Sequence, residues 1–281
     1  MNKYLTVPLY RPMLQTAFGI LLLVSIQTLC GLTAVAQADN QTIRVAVASN
    51  FSETMRVITQ RYEQQSGHKV KLIFGSTGKH FAQIHNGAPF DLFFAADARR
   101  PRLLESSGKS VPGSRYTYAL GRLALWSPDK LLVQTGGKIL EQGNYSHIAI
   151  ANPKLAPYGK AAQEILQSRN LWNKLQRRLV RGENIGQAFQ FIQSGNVELG
   201  FVSFSQITHP EKKTSGSFWL IPESLHSPIE QQAVLITDSE RARDFYNFVR
   251  SDQSLDIIRS YGYGIPATTK DIPATPNEVI Q

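Results

Sequence analysis

Between residues 43 and 108 the chain repeats one pattern three times. A short apolar run breaks at small or polar residues, and a run with helical spacing follows. The first unit reads "IRVAVA", then Ser49-Asn50, then "SETMRVITQRYEQQSG", in which Met55, Ile58 and Tyr62 recur near helical spacing and Gly67 marks the stop. The second is the strand "HKVKLIF" and the short helix "TGKHFAQIHNG". The third is the buried strand "DLFFAA" and the helix "DARRPRLLESSG". Strands that hand over to helices in this way pack as a mostly parallel sheet with helices on its faces. Helices introduced by Ser49-Asn50 and Ser76-Thr77 then begin at the C-terminal edge of that sheet, where open α/β folds bind ligands.

The character changes after "PGSRYTYALGRLALWS", where Leu120 to Trp126 alternates like an antiparallel crossing strand. A second α/β set follows: "HIAIAN" as strand, "GKAAQEILQSRNLWNKL" as one helix, "RLVRG" as a short strand, "IGQAFQFIQSG" as helix and "VELGFVSFSQI" as strand. "IEQQAVLIT" returns as another alternating strand, and the helices "SERARDFYNFVRSD" and "QSLDIIRSYGY" close the chain before a loosely ordered tail after Pro266. The expected fold is α/β and two-lobed, with each lobe a mostly parallel sheet flanked by helices and a cleft between them. Residues 39–121 plus 233–281 are expected to form one lobe, and 122–232 the other.

Residues 1–38 read differently. Lys3 and Arg11 precede the apolar run "AFGILLLVSIQTLCGLTAVA", and "AVAQA" supplies small residues for cleavage near Ala36 or Ala38, the pattern of a secretory signal peptide. Export would leave the mature protein in the periplasm and remove Cys30, the only cysteine in the chain, so thiol chemistry and disulfides are excluded from it. Lys3 and Arg11 leave too, and the formal charge falls from +9 to +7. The remaining Lys and Arg are scattered, which fits a solvated basic surface better than a nucleic-acid interface.

Motifs for chemistry are scarce. The chain holds no G-x-S-x-G, H-E-x-x-H, P-loop or G-x-G-x-x-G. Its six histidines (68, 80, 85, 147, 209, 226) are dispersed and read as lone surface residues. Asp97 reads as a cap for the helix that follows it. What remains is four strand-to-helix junctions: "ASNF", "FGSTGK", "ANPKLAPYGKAA" and "GENIGQAF". Each leaves backbone N–H groups free at the positive end of a helix. Singly, each is a cap. Together, on the facing edges of two lobes, they can converge on one anion without any Lys or Arg. Lys79 and Lys160, just past two of the junctions, are expected to face solvent.

These stretches also carry a resemblance. "VASNFSETM", "FGSTGKHFAQIHNGAPFDLFFAAD", "PGSRYTYALGRLALWS", "IAIANPKLAPYGKAA", "GENIGQAFQFIQSGNVELGFVS" and "IEQQAVLI" occur in order over almost the whole chain after residue 38. They resemble the periplasmic molybdate-binding proteins of ABC transporters. The resemblance implies a type II periplasmic binding-protein fold that holds molybdate or tungstate as a tetrahedral oxyanion. Molybdenum would be bound only in that form, with no further cofactor and no catalysis. It implies binding by Ser49 and Asn50, by the hydroxyl and N–H of Thr77 with help from Ser76, and by the N–H groups of Tyr158 and Ile185. A hinge at Ala119–Trp126 and Gln231–Ile236, a monomeric state, a membrane permease as partner and no nucleic acid are implied as well. Two positions depart from the family pattern, with Ser49 in place of Thr and Thr77 in place of Ser. Both keep a hydroxyl, and the methyl of Thr77 takes volume from the pocket. Two other readings stay open on the residues alone: the same fold tuned to sulfate or phosphate, and a secreted α/β enzyme, which would need a histidine near Ser49.

Overall fold

The computed structural model describes residues 42–213 and 215–266. The expected signal segment at residues 1–38 and the tail after Pro266 lie outside the described residues.

Two five-stranded mixed sheets organise the described residues. The first has the order β2-β1-β3-β12-β4, built from β1 (Thr42–Ala48), β2 (Lys69–Gly75), β3 (Leu92–Phe94), β4 (Tyr116–Gly121) and β12 (Ile229–Leu235). β1 and β3 run parallel, with Val45 opposite Leu92 and Val47 opposite Phe94, whereas β12 is antiparallel to both β3 and β4. The second has the order β11-β5-β8-β6-β7, from β5 (Leu123–Ser127), β6 (Ile148–Ala151), β7 (Leu179–Gly182), β8 (Leu199–Ser203) and β11 (Ser217–Leu220). Here β6 is parallel to β7 and β8, and β5 is antiparallel to β8 and β11. A small antiparallel ribbon joins β9 (Thr208–His209) to β10 (Lys212–Lys213).

Both sheets are thus mixed, because the strands at the crossings run against the parallel set. The alternating stretch Leu120–Trp126 is not one strand. It divides at Arg122 between β4 of the first sheet and β5 of the second. β12 lies wholly in the first sheet, and Leu120 forms a bridge to Gly264, which ties the end of the described chain back to β4.

Alternation along β1 explains how the first sheet is covered. Val45 and Val47 face one core with Phe94, Tyr118, and Phe51, Met55 and Ile58 near and in α1 (Ser52–Ser66). Ala46 faces the opposite core with Phe93, with Ile84 of α2 (Thr77–His85) and with Leu104 of α3 (Arg99–Ser106). The second sheet is buried by its own cluster. Its helices are α4 (Ile139–Gln142), α5 (Pro157–Ser168), α6 (Trp172–Leu175), α7 (Ile185–Gln193) and α8 (Phe204–Ile207). The closing helices α9 (Glu240–Val249) and α10 (Asp252–Ser260) return to the first core through Phe245 and Ile258.

Three local readings change. The helix expected across residues 159–175 ends at Ser168, and Asn170 adopts φ 56°, a left-handed conformation that asparagine tolerates better than most residues. The strand expected to run to Ile207 stops at Ser203, whose hydroxyl and Gln206 form a capping box that starts α8. His80 is not a surface histidine. It is 2% exposed, with its ring edge-on to Phe90 and Phe93.

The first core rests on aromatic packing between α1 and α9, where Tyr62 meets Phe245 edge-on at 4.9 Å between ring centres. Replacing Phe245 with Ala empties a fully buried volume. Urea denaturation should show a loss of about 3–5 kcal/mol.

Candidate functional site

All four junctions meet in one place. Ser49, Asn50, Ser76, Thr77, Tyr158 and Ile185, with Ala48, Gly75, Ala96, Ala156, Pro157 and Asn184, line a small cavity of about 170 Å³ of empty space including its mouth. No Lys, Arg, His, Asp or Glu is among these residues. All five residues expected to bind are there, and all are at least nine-tenths buried.

Each helix start is built from local chemistry. Ser76 caps α2 and accepts from Lys79 N at 3.3 Å, so Thr77 occupies the first helical position. Asn184 caps α7 in the same way, accepting from Gln187 N at 3.0 Å, and Ile185 is first in that helix. Pro157 opens α5, where its missing N–H costs nothing and its fixed φ suits the first turn. Ser49–Phe51 form a 3₁₀ turn that runs into α1, with no side-chain cap. N–H groups in these first turns have no carbonyl one turn back to bond, and the four helix dipoles add positive potential at the cavity.

The two key hydroxyls are oriented by backbone donors. Thr77 Oγ1 accepts from Ala96 N at 3.0 Å, and Ser49 Oγ accepts from Gly186 N at 3.2 Å. Each hydroxyl proton is therefore left to donate. Asn50 behaves differently. Its Nδ2 donates to Gln231 Oε1 at 2.6 Å and to Tyr263 OH at 3.1 Å, which engages its side-chain donors away from the cavity and leaves its backbone N–H for a ligand.

Contacts between the two sheet systems close the cavity. Gly78 N donates to Leu155 O at 2.8 Å, Arg100 Nη2 to Lys154 O at 3.1 Å and Ser205 Oγ to Asn50 O at 3.2 Å. The Ser49–Gly186 bond spans the same gap. Lys79 reaches Glu183 at 3.3 Å and Lys160 reaches Glu164 at 3.6 Å, so both lysines are neutralised outside the cavity with their side chains more than half exposed.

The glycines that follow three of these contact residues make the approach possible. A Cβ on Gly78 would lie 3.0 Å from Leu155 O, one on Gly159 2.2 Å from Ala151 O, and one on Gly186 3.3 Å from Ser49 Cβ. Thr77-Gly78, Tyr158-Gly159 and Ile185-Gly186 share this order, a signal present in the sequence that capping arguments alone overlook.

Behind the cavity lies a buried polar network that sequence reasoning missed. Tyr263 OH donates to Asn50 O at 2.8 Å and lies 2.8 Å from Ser205 Oγ, while Tyr118 OH donates to Ala95 O at 3.1 Å. The ladder between β12 and β4 shifts register between Gln231 and Gln232, and a bulge of this kind re-aims side chains. Gln231 is fully buried beside Asn50. Burial pushes the Tyr263 hydroxyl up to about 12 and holds Tyr118 well above the usual tyrosine range, so both stay neutral donors. No histidine lies within this cavity's lining, and Asp97 accepts from Arg100 N at 2.9 Å as a cap.

Comparison with known proteins places this geometry. The family model for bacterial extracellular solute-binding proteins matches residues 43–264. Over 238 residues the chain is 43% identical to the molybdate-binding protein ModA of Azotobacter vinelandii, an alignment that covers 84% of this chain and 94% of the relative. The chain belongs to the molybdate-binding branch of the bacterial extracellular solute-binding proteins. ModA of Rhodobacter capsulatus is 42% identical, over 78% of this chain and 86% of its own length. The solved structure of the Azotobacter vinelandii periplasmic molybdate-binding protein superposes with a TM-score of 0.77 at 39% identity, and the match covers 80% of this chain and 99% of that one. Those proteins are binding proteins by name, and their fold is the two-lobed type II fold described above.

His80 sits directly beneath this edge of the sheet, on α2. Burial pushes its imidazole below the ordinary range, partly offset by the contact to Gln83. The unfolded chain takes up its proton near pH 6.5 and the folded chain only at lower pH, so stability is lost as pH falls below that value. Thermal melts of wild type and His80→Leu from pH 8 to pH 5 should show the wild type losing ground relative to the variant as pH falls. A constant difference across the range would contradict a buried neutral imidazole.

Proposed function

We propose that this protein captures molybdate, and tungstate, in the periplasm and delivers it to the permease of an ABC transporter. The observation that carries the reading is a small cavity lined by hydroxyl and backbone N–H donors at four helix starts, with no side-chain cation. In this reading Ser49 and Thr77 donate through their hydroxyls, and Asn50, Thr77, Tyr158 and Ile185 through their N–H groups. The oxyanion is the only non-protein group required, and the protein acts as a monomer without catalysis. Residues 1–38 serve as the export signal. Residues 42–121 plus 229–266 and residues 122–228 serve as the lobes that close on the ligand, turning at the crossings near Arg122 and before Ile229. The return crossing thus falls before the boundary at 232/233 and the hinge at Gln231–Ile236 expected from the sequence.

Molybdate, tungstate and sulfate are all tetrahedral dianions near neutral pH, so charge does not separate them. Size does. The longer metal–oxygen bonds fill the cavity, whereas sulfate leaves donors unpaired, and each buried unpaired donor costs about 1–3 kcal/mol. Phosphate retains a proton at neutral pH that a ring of donors cannot accept.

Calorimetric titration of ligand-stripped protein tests this. One-to-one binding of molybdate that persists in excess sulfate is the expected result. Thr77→Val should weaken it about 5- to 150-fold by removing one hydroxyl donor. Absence of heat with molybdate, or binding in which sulfate competes equally, would sink the reading.

A further inference from the structure

The cavity is neutral, yet the two spaces that open beside it are not alike. One lies between α3 and α5. It shares Ala96 and Pro157 with the cavity, and its charged residues are Arg99, Arg100 and Lys160 against Asp97 and Glu164. The other lies between α1 and α7. It shares Ser49 and Asn184 with the cavity, and its charged residues are Arg56 against Glu53 and Glu183. Pairing sharpens the difference. Asp97 holds Arg100. Glu164 accepts from Ser227 N at 2.8 Å and Ser227 Oγ at 3.3 Å, and Lys160 reaches it only at 3.6 Å with its side chain 67% exposed. Arg99 is exposed and has no ion pair among the described residues. On the α1–α7 side Arg56 is bonded to Glu53 and lies over the Phe74 ring at 4.6 Å, and Glu183 is answered by Lys79. Positive charge is left uncommitted on one side of the cavity only.

We propose that Arg99 and Lys160 form an encounter site that draws the oxyanion in between α3 and α5 before it passes to the neutral cavity. The proposal rests on the oxyanion-binding reading above. A ring of neutral donors discriminates by shape but pulls little on an anion at a distance. Exposed cations beside the mouth raise the local concentration of the anion and its association rate. The two tasks are thereby kept apart: the rim attracts molybdate and sulfate alike, and the cavity sorts them. Room alone would favour the other route. The α1–α7 space holds about 1130 Å³ including its mouth, against about 580 Å³ between α3 and α5. Entry governed by charge and entry governed by room therefore give opposite mutational results.

Stopped-flow measurement of molybdate association and dissociation separates them, with ligand-stripped wild type, Arg99→Gln, Arg99→Gln/Lys160→Gln and Arg56→Gln. At low ionic strength Arg99→Gln should slow association about threefold and the double variant about tenfold. The rates should converge on that of wild type at high salt, where such charges are screened. Dissociation rates and the melting temperature of the ligand-free protein should stay at the wild-type values, which sets an encounter role apart from a structural one. Arg56→Gln removes the same charge from the other side and should change association less than Arg99→Gln does. Equal or greater slowing by Arg56→Gln, or association by the double variant at the wild-type rate, would overturn the encounter site while leaving molybdate binding intact. Wild-type protein that binds no molybdate would overturn the functional reading and this site with it.

Discussion

A buried N–H without an acceptor costs free energy, and this fold directs the unpaired donors of four helix starts towards one small space. The rest of the structure follows from that constraint. Parallel strands place helix starts along one edge of each sheet, and the crossings at Arg122 and before Ile229 turn the two edges to face each other. An anion at the meeting point satisfies the donors of both sides at once. Since each side alone offers only part of the set, the proposed function makes binding and closure one event.

Neutral recognition makes the surrounding charges intelligible. Lys79 and Lys160 lie close to the cavity in sequence, yet each is paired with a glutamate and half or more exposed. A cation inside would attract any anion of the same charge. Fixed dipoles and hydroxyls instead reward a shape that reaches all of them. The network behind the cavity serves the same end. Asn50, Gln231 and Tyr263 fix the first helix start within its own sheet system, and Ser205 meets it from the other, so the Ser49 hydroxyl and the Asn50 N–H are held towards the cavity.

Much of this was legible in the sequence because helix starts are local events. Ser76 and Asn184 announce their caps by type and position, Pro157 announces the first turn of α5, and the apolar alternation of "IRVAVA" places Val45 and Val47 on one face. The contacts across the gap were not legible, since nothing near Ser49 in the chain says that its hydroxyl will meet Gly186 rather than cap its own helix. His80 was misread for a similar reason: its burial is decided by Phe90 and Phe93, which a helical pattern does not reveal. The break at Asn170 depended on one left-handed residue inside a run of good helix formers. The bulge beside Gln231 depended on a register that two distant strands set together.

The central claim is that one oxyanion sits at the convergence of the four helix starts. Crystals of the stripped protein soaked with tungstate would locate it by anomalous scattering. The account predicts a single strong peak enclosed by Ser49, Asn50, Thr77, Tyr158 and Ile185, with oxygens on their donors and no Lys or Arg in contact. A peak bound by surface lysines or arginines, with the cavity left empty, would contradict it.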